Sequence, residues 1–202
     1  MPTIRFISLI WSYSSLQKWK RIKRKLHSLW ISNEFKSFGS DSTIGYPIVL
    51  LGGKYISLGS KICLGERGVL TAWDSYMDES FTPNIIIGNN TSIGEDFHIT
   101  AIDKIVIGDN VLMGKKITIT DNSHGKVDVE SLAIAPAKRF LYSKGPVIIK
   151  DGVWIGEKAT ILPGVTIGKN SIIGANAVVI SDIPDNCVAA GVPAKVVRII
   201  TT

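Results

Sequence analysis

Three histidines, two cysteines and one short polar run carry most of the chemistry this chain of 202 residues could do. His124 stands in "DNSHG", residues 121–125, where a six-residue rhythm of aliphatic side chains breaks off until about residue 146. An imidazole with a pKa near about 6.5 exchanges its proton around neutrality, so a histidine there can act as general base toward an alcohol. It can equally be a loop residue with only a hydrogen-bonding role, and both readings stand at this point. Asp121 and Asn122 could orient the ring or touch a substrate; the same residue types also simply make turns. His98 precedes Ile99 roughly one coil earlier, where it either reaches the same corner or faces solvent. His27 lies outside the rhythm, and neither His98 nor His124 has a partner at metal-ligand spacing, so no metal is expected. Cys63 and Cys187 fall in separate repeats and read as small buried hydrophobes in a reducing compartment.

The rhythm is what must position these groups. Aliphatic residues recur at Ile44 and Leu50, at Leu58, Leu64 and Leu70, at Ile87, Ile93 and Ile99, at Ile107, Met113 and Ile119, and at every sixth residue from Ile149 to Val179. Gly usually follows the aliphatic and Asn or Asp lies two or three places on, so each hexapeptide reads as one short strand and one tight turn. Three such units make a triangular coil, and stacked coils give a parallel β-helix, an all-β solenoid with a narrow aliphatic core. Sandwich strands are usually spaced by about 8 to 12 residues, which a fixed step of six does not fit. When Ile87, Ile93 and Ile99 are assigned to faces A, B and C, every irregularity falls at the corner from C to A, including the excursions 71–84 and 120–146. Insertions gathered on one edge of a rigid scaffold mark that edge as the functional one.

Charge divides the chain into a basic N-terminal segment, 1–36, and a body, 37–202. The net charge is +6, yet residues 1–36 hold eight Lys/Arg against Glu34 alone and so carry +7, leaving −1 for the rest. Leu16, Trp19, Ile22, Leu26, Leu29 and Trp30 recur at helical spacing over residues 13–31, with Lys18, Lys20, Arg21, Lys23, Arg24 and Lys25 between them. Such a helix suits two uses: packing its apolar stripe over the open first coil near Ile44, or lying on an anionic membrane as a peripheral contact. Nothing else in the chain supports nucleic acid binding. "FISLIW" is shorter than a usual signal core and no run approaches a membrane span, so a cytoplasmic protein is expected.

From "GVWIGEKATILPGVTIGKNSIIGANAVVISDIPDNCVAAGVPAKVVRII" the body resembles the hexapeptide-repeat acyltransferases, in particular the maltose, galactoside and polysaccharide O-acetyltransferases, over roughly residues 40–200. The resemblance implies a left-handed winding, against the usual hand of parallel crossovers. It also implies a homotrimer and acetyl-CoA as co-substrate. It makes His124 the catalytic base, with Asp121, Asn122 and His98 as candidate orienting or acceptor-binding residues. It carries coenzyme A contacts onto Glu157, Ala175, Ile180 and Ser181 for the pantetheine arm, and onto Lys195 and Arg198 in the tail 184–202 for the phosphates, where lysine is a point charge and arginine a two-pronged clamp. The related galactoside and maltose enzymes carry an acceptor-binding Asn where the register gives Gly94. Carbonic anhydrases of the same fold bind zinc through three histidines, a set that His27, His98 and His124 do not supply.

The expected activity is thus transfer of acetyl from acetyl-CoA to a sugar hydroxyl, with a surface polysaccharide or O-antigen precursor as acceptor. The alternatives are N-acetylation of an amino sugar, perhaps nucleotide-linked, and a non-catalytic scaffold whose corner loops bind a partner. Leu132, Ile134, Phe140, Leu141 and Tyr142 of the long excursion need cover, which a neighbouring subunit would supply.

Overall fold

Each aliphatic residue of the rhythm sits in a short strand, and the strands stack in parallel on three faces. The structure is a computed structural model and describes residues 12–201. The first eleven residues of the basic segment, "FISLIW" among them, and Thr202 of the tail lie outside the described residues. Face A stacks Ser37–Phe38, Ile56–Leu58, Asn84–Ile87, Lys104–Ile107, Val147–Ile149 and Thr166–Ile167. Face B stacks Thr43–Ile44, Cys63–Leu64, Ser92–Ile93, Leu112–Met113, Trp154–Ile155, Ile172–Ile173 and Cys187–Gly191, and face C stacks Ile48–Leu51, Gly68–Ala72, His98–Ala101, Thr118–Thr120, Thr160–Ile161 and Val178–Val179.

The register is the one the six-residue spacing dictates. Leu58, Ile87, Ile107, Ile149 and Ile167 align on face A. Ile44, Leu64, Ile93, Met113, Ile155 and Ile173 align on face B. Leu50, Leu70, Ile99, Ile119, Ile161 and Val179 align on face C. Apart from the half-buried Leu50, all of these side chains are buried, each contributing roughly 1.5–3 kcal/mol of transfer free energy. The corners need left-handed backbone, which Asn90, Asn110, Asn170 and Asn186 supply at φ 54 to 58°. Between faces A and B the buried hydroxyls of Ser42, Thr91 and Ser171 each donate to one corner carbonyl and accept one peptide N–H, so the narrow core leaves these peptide groups paired. Cys63 and Cys187 are free thiols near opposite ends of face B.

Both long excursions leave face C and return on face A, so they share one ridge. The first forms a small hairpin, Ser75–Tyr76 against Glu79–Ser80. The second forms a longer one, Asn122–His124 against Leu141–Ser143, with a single helical turn at Val129–Leu132 and a 3-10 turn at Pro136–Lys138 between its strands. The hairpins touch: the rings of Tyr76 and His124 meet edge to face with centroids 5.7 Å apart.

At the N-terminal end helix α1, Tyr13–Ile31, starts at Ser12, whose hydroxyl accepts the Ser15 N–H. It caps the first coil, but with the side opposite to the expected one. The Ile44 N–H donates to Ser28 Oγ at 2.8 Å, His27 Nδ1 lies 3.3 Å from the Ile44 carbonyl, and Arg24 donates to the Leu64 carbonyl. Ile31 and Phe35 close the core below them. The apolar stripe is left out: Trp19 is 60% exposed, Leu26 61% and Trp30 77%. The physical reason lies in the edge itself, since an open strand presents unpaired peptide groups that only polar side chains can satisfy. At the other end Ala194–Ile199 folds back antiparallel on Cys187–Gly191 and closes face B.

Candidate active site

His124 is the third residue of the ridge strand Asn122–His124, opposite Leu141, so a two-stranded ladder and not an open loop holds its backbone. Its side chain is exposed, bounded on one edge by Tyr76. Asp121, three residues earlier, turns the other way. Its carboxylate is fully buried and accepts the backbone N–H groups of Ile102 at 3.0 Å and Asp103 at 2.9 Å. Burial pushes this carboxyl above the ordinary carboxylate range, opposed by the Asn122 amide and by the two peptide donors. Asn122 donates its side-chain amide to Asp121 at 3.0 Å, and its backbone N–H to the Thr120 hydroxyl at 3.2 Å. The pair therefore fastens the base of the long hairpin to the preceding coil, and in this chain Asp121 faces the coil, not the imidazole.

Below the hairpin a cleft of about 680 Å³ runs from Thr120, Asn122 and Ser123 past Lys126, Tyr142 and Lys144 to Leu162, Pro163 and Ile180. His124 does not itself line the cleft, but its chain neighbours Ser123 and Gly125 do. Two cations, Lys126 and Lys144, line it, and the Lys126 ammonium sits 5.2 Å from the centroid of the Tyr142 ring. A second recess, about 400 Å³, lies on the other side of the hairpin between Glu79, Phe81, Asp103 and Tyr142.

The remaining sequence candidates fall in distinct places. His98 is exposed on the outer side of face C opposite Thr118, two strand positions before Thr120, where the long loop departs. Glu157 and Ala175 stack in successive coils at the corner from B to C, where a Cβ on Gly156 would meet the Ala175 backbone at 2.5 Å. Ile180 and Ser181 follow Val179 at the corner from C to A, and Ile180 reaches the cleft. The two pairs thus bound opposite edges of face C, and within one chain only Ile180 lines the cleft below His124. Lys195 and Arg198 are exposed on the closing strand, opposite Ala190 and Val188. At Gly94 a Cβ would lie 2.6 Å from the Gly114 backbone, so the coil itself rejects a side chain there.

Tyr76, Lys144, Leu162 and Pro163 were not singled out from the sequence. The clustering of excursions on one ridge was the available signal for Tyr76. Lys144 sits at the end of the long excursion itself, while Leu162 and Pro163 come from a later coil and become neighbours of the loop only on stacking. Among the described residues no three His, Cys or carboxylate side chains converge as a metal site, and no helix is long and apolar enough to cross a membrane.

Residues 146–181 match the bacterial transferase hexapeptide family (six repeats). Over 118 residues the chain is 40% identical to WbbJ of Escherichia coli K12, a protein named for O-acetyl transfer in lipopolysaccharide biosynthesis; the match covers 56% of this chain and 60% of that protein. It is 35% identical over 158 residues to a protein of Schizosaccharomyces pombe named as an acetyltransferase, covering 72% of this chain and 73% of the other. Among solved structures a galactoside acetyltransferase in complex with coenzyme A superimposes with TM-score 0.57 at 31% identity, over 85% of this chain and 68% of that one. The chain belongs to the hexapeptide-repeat acetyltransferases. Its solenoid is accordingly the left-handed parallel β-helix of that family, with a helical segment before it and one long loop on its ridge. The match to WbbJ spans less than two thirds of that relative's length.

Proposed function

We propose that this protein transfers acetyl from acetyl-CoA to a hydroxyl of a sugar, with a precursor of a surface polysaccharide as acceptor and His124 as general base. The observation that carries the reading is the placement of an exposed imidazole on the ridge beside a cleft shared by the loop and the later coils. The relatives add the donor and the acceptor class, since one neighbour is a galactoside acetyltransferase holding coenzyme A and one relative is named for lipopolysaccharide O-acetylation. In the reaction the imidazole takes the hydroxyl proton as the oxygen attacks the thioester carbonyl. A C–O bond forms, the tetrahedral intermediate collapses with loss of the C–S bond, and the thiolate leaves with the proton returned from the imidazolium. Tyr76 limits the ring's rotation on one side. Glu157, Ala175, Ile180 and Ser181 would line the pantetheine arm, and Lys195 and Arg198 would meet the phosphates.

A homotrimer supports this use of the residues. Leu132 is 75% exposed on the single chain, with Ile134 and Phe140 also open to solvent, and the two halves of the pantetheine set border opposite edges of face C. A neighbouring copy would cover the first and bring the second within reach of one ligand. Two free thiols and an acetyl-CoA donor suit the reducing cytoplasm. The test is incubation with acetyl-CoA and a panel of sugars while free thiol is followed. Acceptor-dependent release is expected, and a scaffold would give none. An amino sugar as the sole acceptor would turn the assignment to N-acetylation, where loss of His124 is milder because an amine needs less help from a base. Sedimentation should give the mass of three chains; a stable monomer would contradict the trimer.

A further inference from the structure

The face of α1 turned away from the β-helix is unpartnered, and its chemistry identifies what covers it. At about 100° per residue Arg24, His27, Ser28 and Ile31 share the side that caps the first coil, while Ile22, Leu26, Trp19, Trp30 and Leu16 form an arc roughly opposite. All five of those side chains are exposed. Lys18 and Lys25 border this arc on the Ile22 flank with Arg21 beyond them, while at the other edge Lys23 projects between Trp30 and Leu16 and Lys20 lies just past Leu16, toward the capping side. From Ser12 to Asn33 there is no carboxylate, and among the described residues none of these five cations forms an ion pair.

We infer that α1 docks the protein on an anionic lipid surface, its apolar arc seated at the acyl boundary and its two basic flanks at the headgroups. An apolar arc bordered on both sides by cations, with tryptophans near each end, is the pattern of a helix lying in the interfacial plane. The lysine stems extend the apolar area while their ammonium groups reach the phosphates. A second copy of this chain fits less well, because two such arcs face to face would bring five cations against five with no carboxylate between them. The cap adds the remaining condition: hydrogen bonds through Ser28, His27 and Arg24 hold α1 on the solenoid with the arc outward, so the surface is presented already folded. The inference stands on the helix alone and does not depend on acetyl transfer.

Flotation of the full chain with phosphatidylcholine vesicles, with and without phosphatidylserine, tests it. Binding is expected only with phosphatidylserine and should weaken as salt rises. Replacing Lys18, Lys20, Lys23 and Lys25 by Gln should weaken it more than about a hundredfold, at about fivefold per cation. Trp19→Ser with Trp30→Ser should also weaken it at unchanged charge; because the Trp30 ring touches the capping His27 at 6.0 Å between centroids, Trp19→Ser alone is the variant expected to weaken binding at unchanged melting temperature. Absence of binding at low salt, or substituted chains that float like the parent, would overturn the assignment. So would dissociation of an oligomer by the tryptophan substitutions, which would give this face to a second copy.

Discussion

The coils from Val147 to Val179 and the ridge between faces C and A show two ways of using one scaffold. In the coils the aliphatic returns every sixth residue from Ile149 to Val179 without a break, each one buried against the residue one coil away. On the ridge the side chains answer to one another across loops: Tyr76 to His124, Lys126 to Tyr142, Asp121 to the amides of the preceding coil. The difference teaches that stability and chemistry occupy separate residues here. A substitution in the stack should be felt in melting, and one among the exposed ridge side chains in rate.

The largest expected effect on folding comes from the stack. Ile161→Ala, flanked on face C by Ile119 and Val179, should cost about 2–5 kcal/mol in denaturant unfolding, because flanking coils tied by peptide hydrogen bonds cannot close over the cavity. Asp121 is the instructive exception on the ridge. Asp121→Ala should cost roughly 2–4 kcal/mol by leaving one buried and one part-buried N–H group unpaired, so a ridge residue behaves like a core one. Its pH dependence has a defined sign: the folded carboxyl holds its proton more tightly than the unfolded one, so the Asp121 contribution is least favourable above the folded pKa and grows as pH falls through it. The stability of the parent relative to Asp121→Asn should therefore rise toward acid, and a fall would show that the peptide donors outweigh burial. Smallest is Tyr76→Ala, which frees one side of the imidazole and should lower kcat about 3- to 10-fold with melting unchanged. An unchanged rate would make Tyr76 a packing residue only.

The coil register was legible because a triangular coil with one core aliphatic per face leaves a fixed period in the sequence, and Ile87, Ile93 and Ile99 suffice to phase it. The ridge was legible for the same reason, as the place where that period fails. What lies off the period was hidden. Helical spacing revealed an apolar stripe on α1 but not that the open coil needs hydrogen-bonding partners, so Ser28 and His27 took the role assigned to Trp19 and Leu26. "DNSHG" located the imidazole but gave no sign that Asp121 turns inward to Ile102 and Asp103, a choice made by a neighbouring coil about twenty residues away. The split of Glu157 and Ala175 from Ile180 and Ser181 across face C likewise follows from which corner each occupies.

The most direct test of the central claim is kcat for His124→Ala on the best hydroxyl acceptor, with melting temperature measured on the same sample. A fall of about 10²- to 10⁴-fold at unchanged melting temperature is the expected result. A variant as fast as the parent would remove the imidazole from the chemistry.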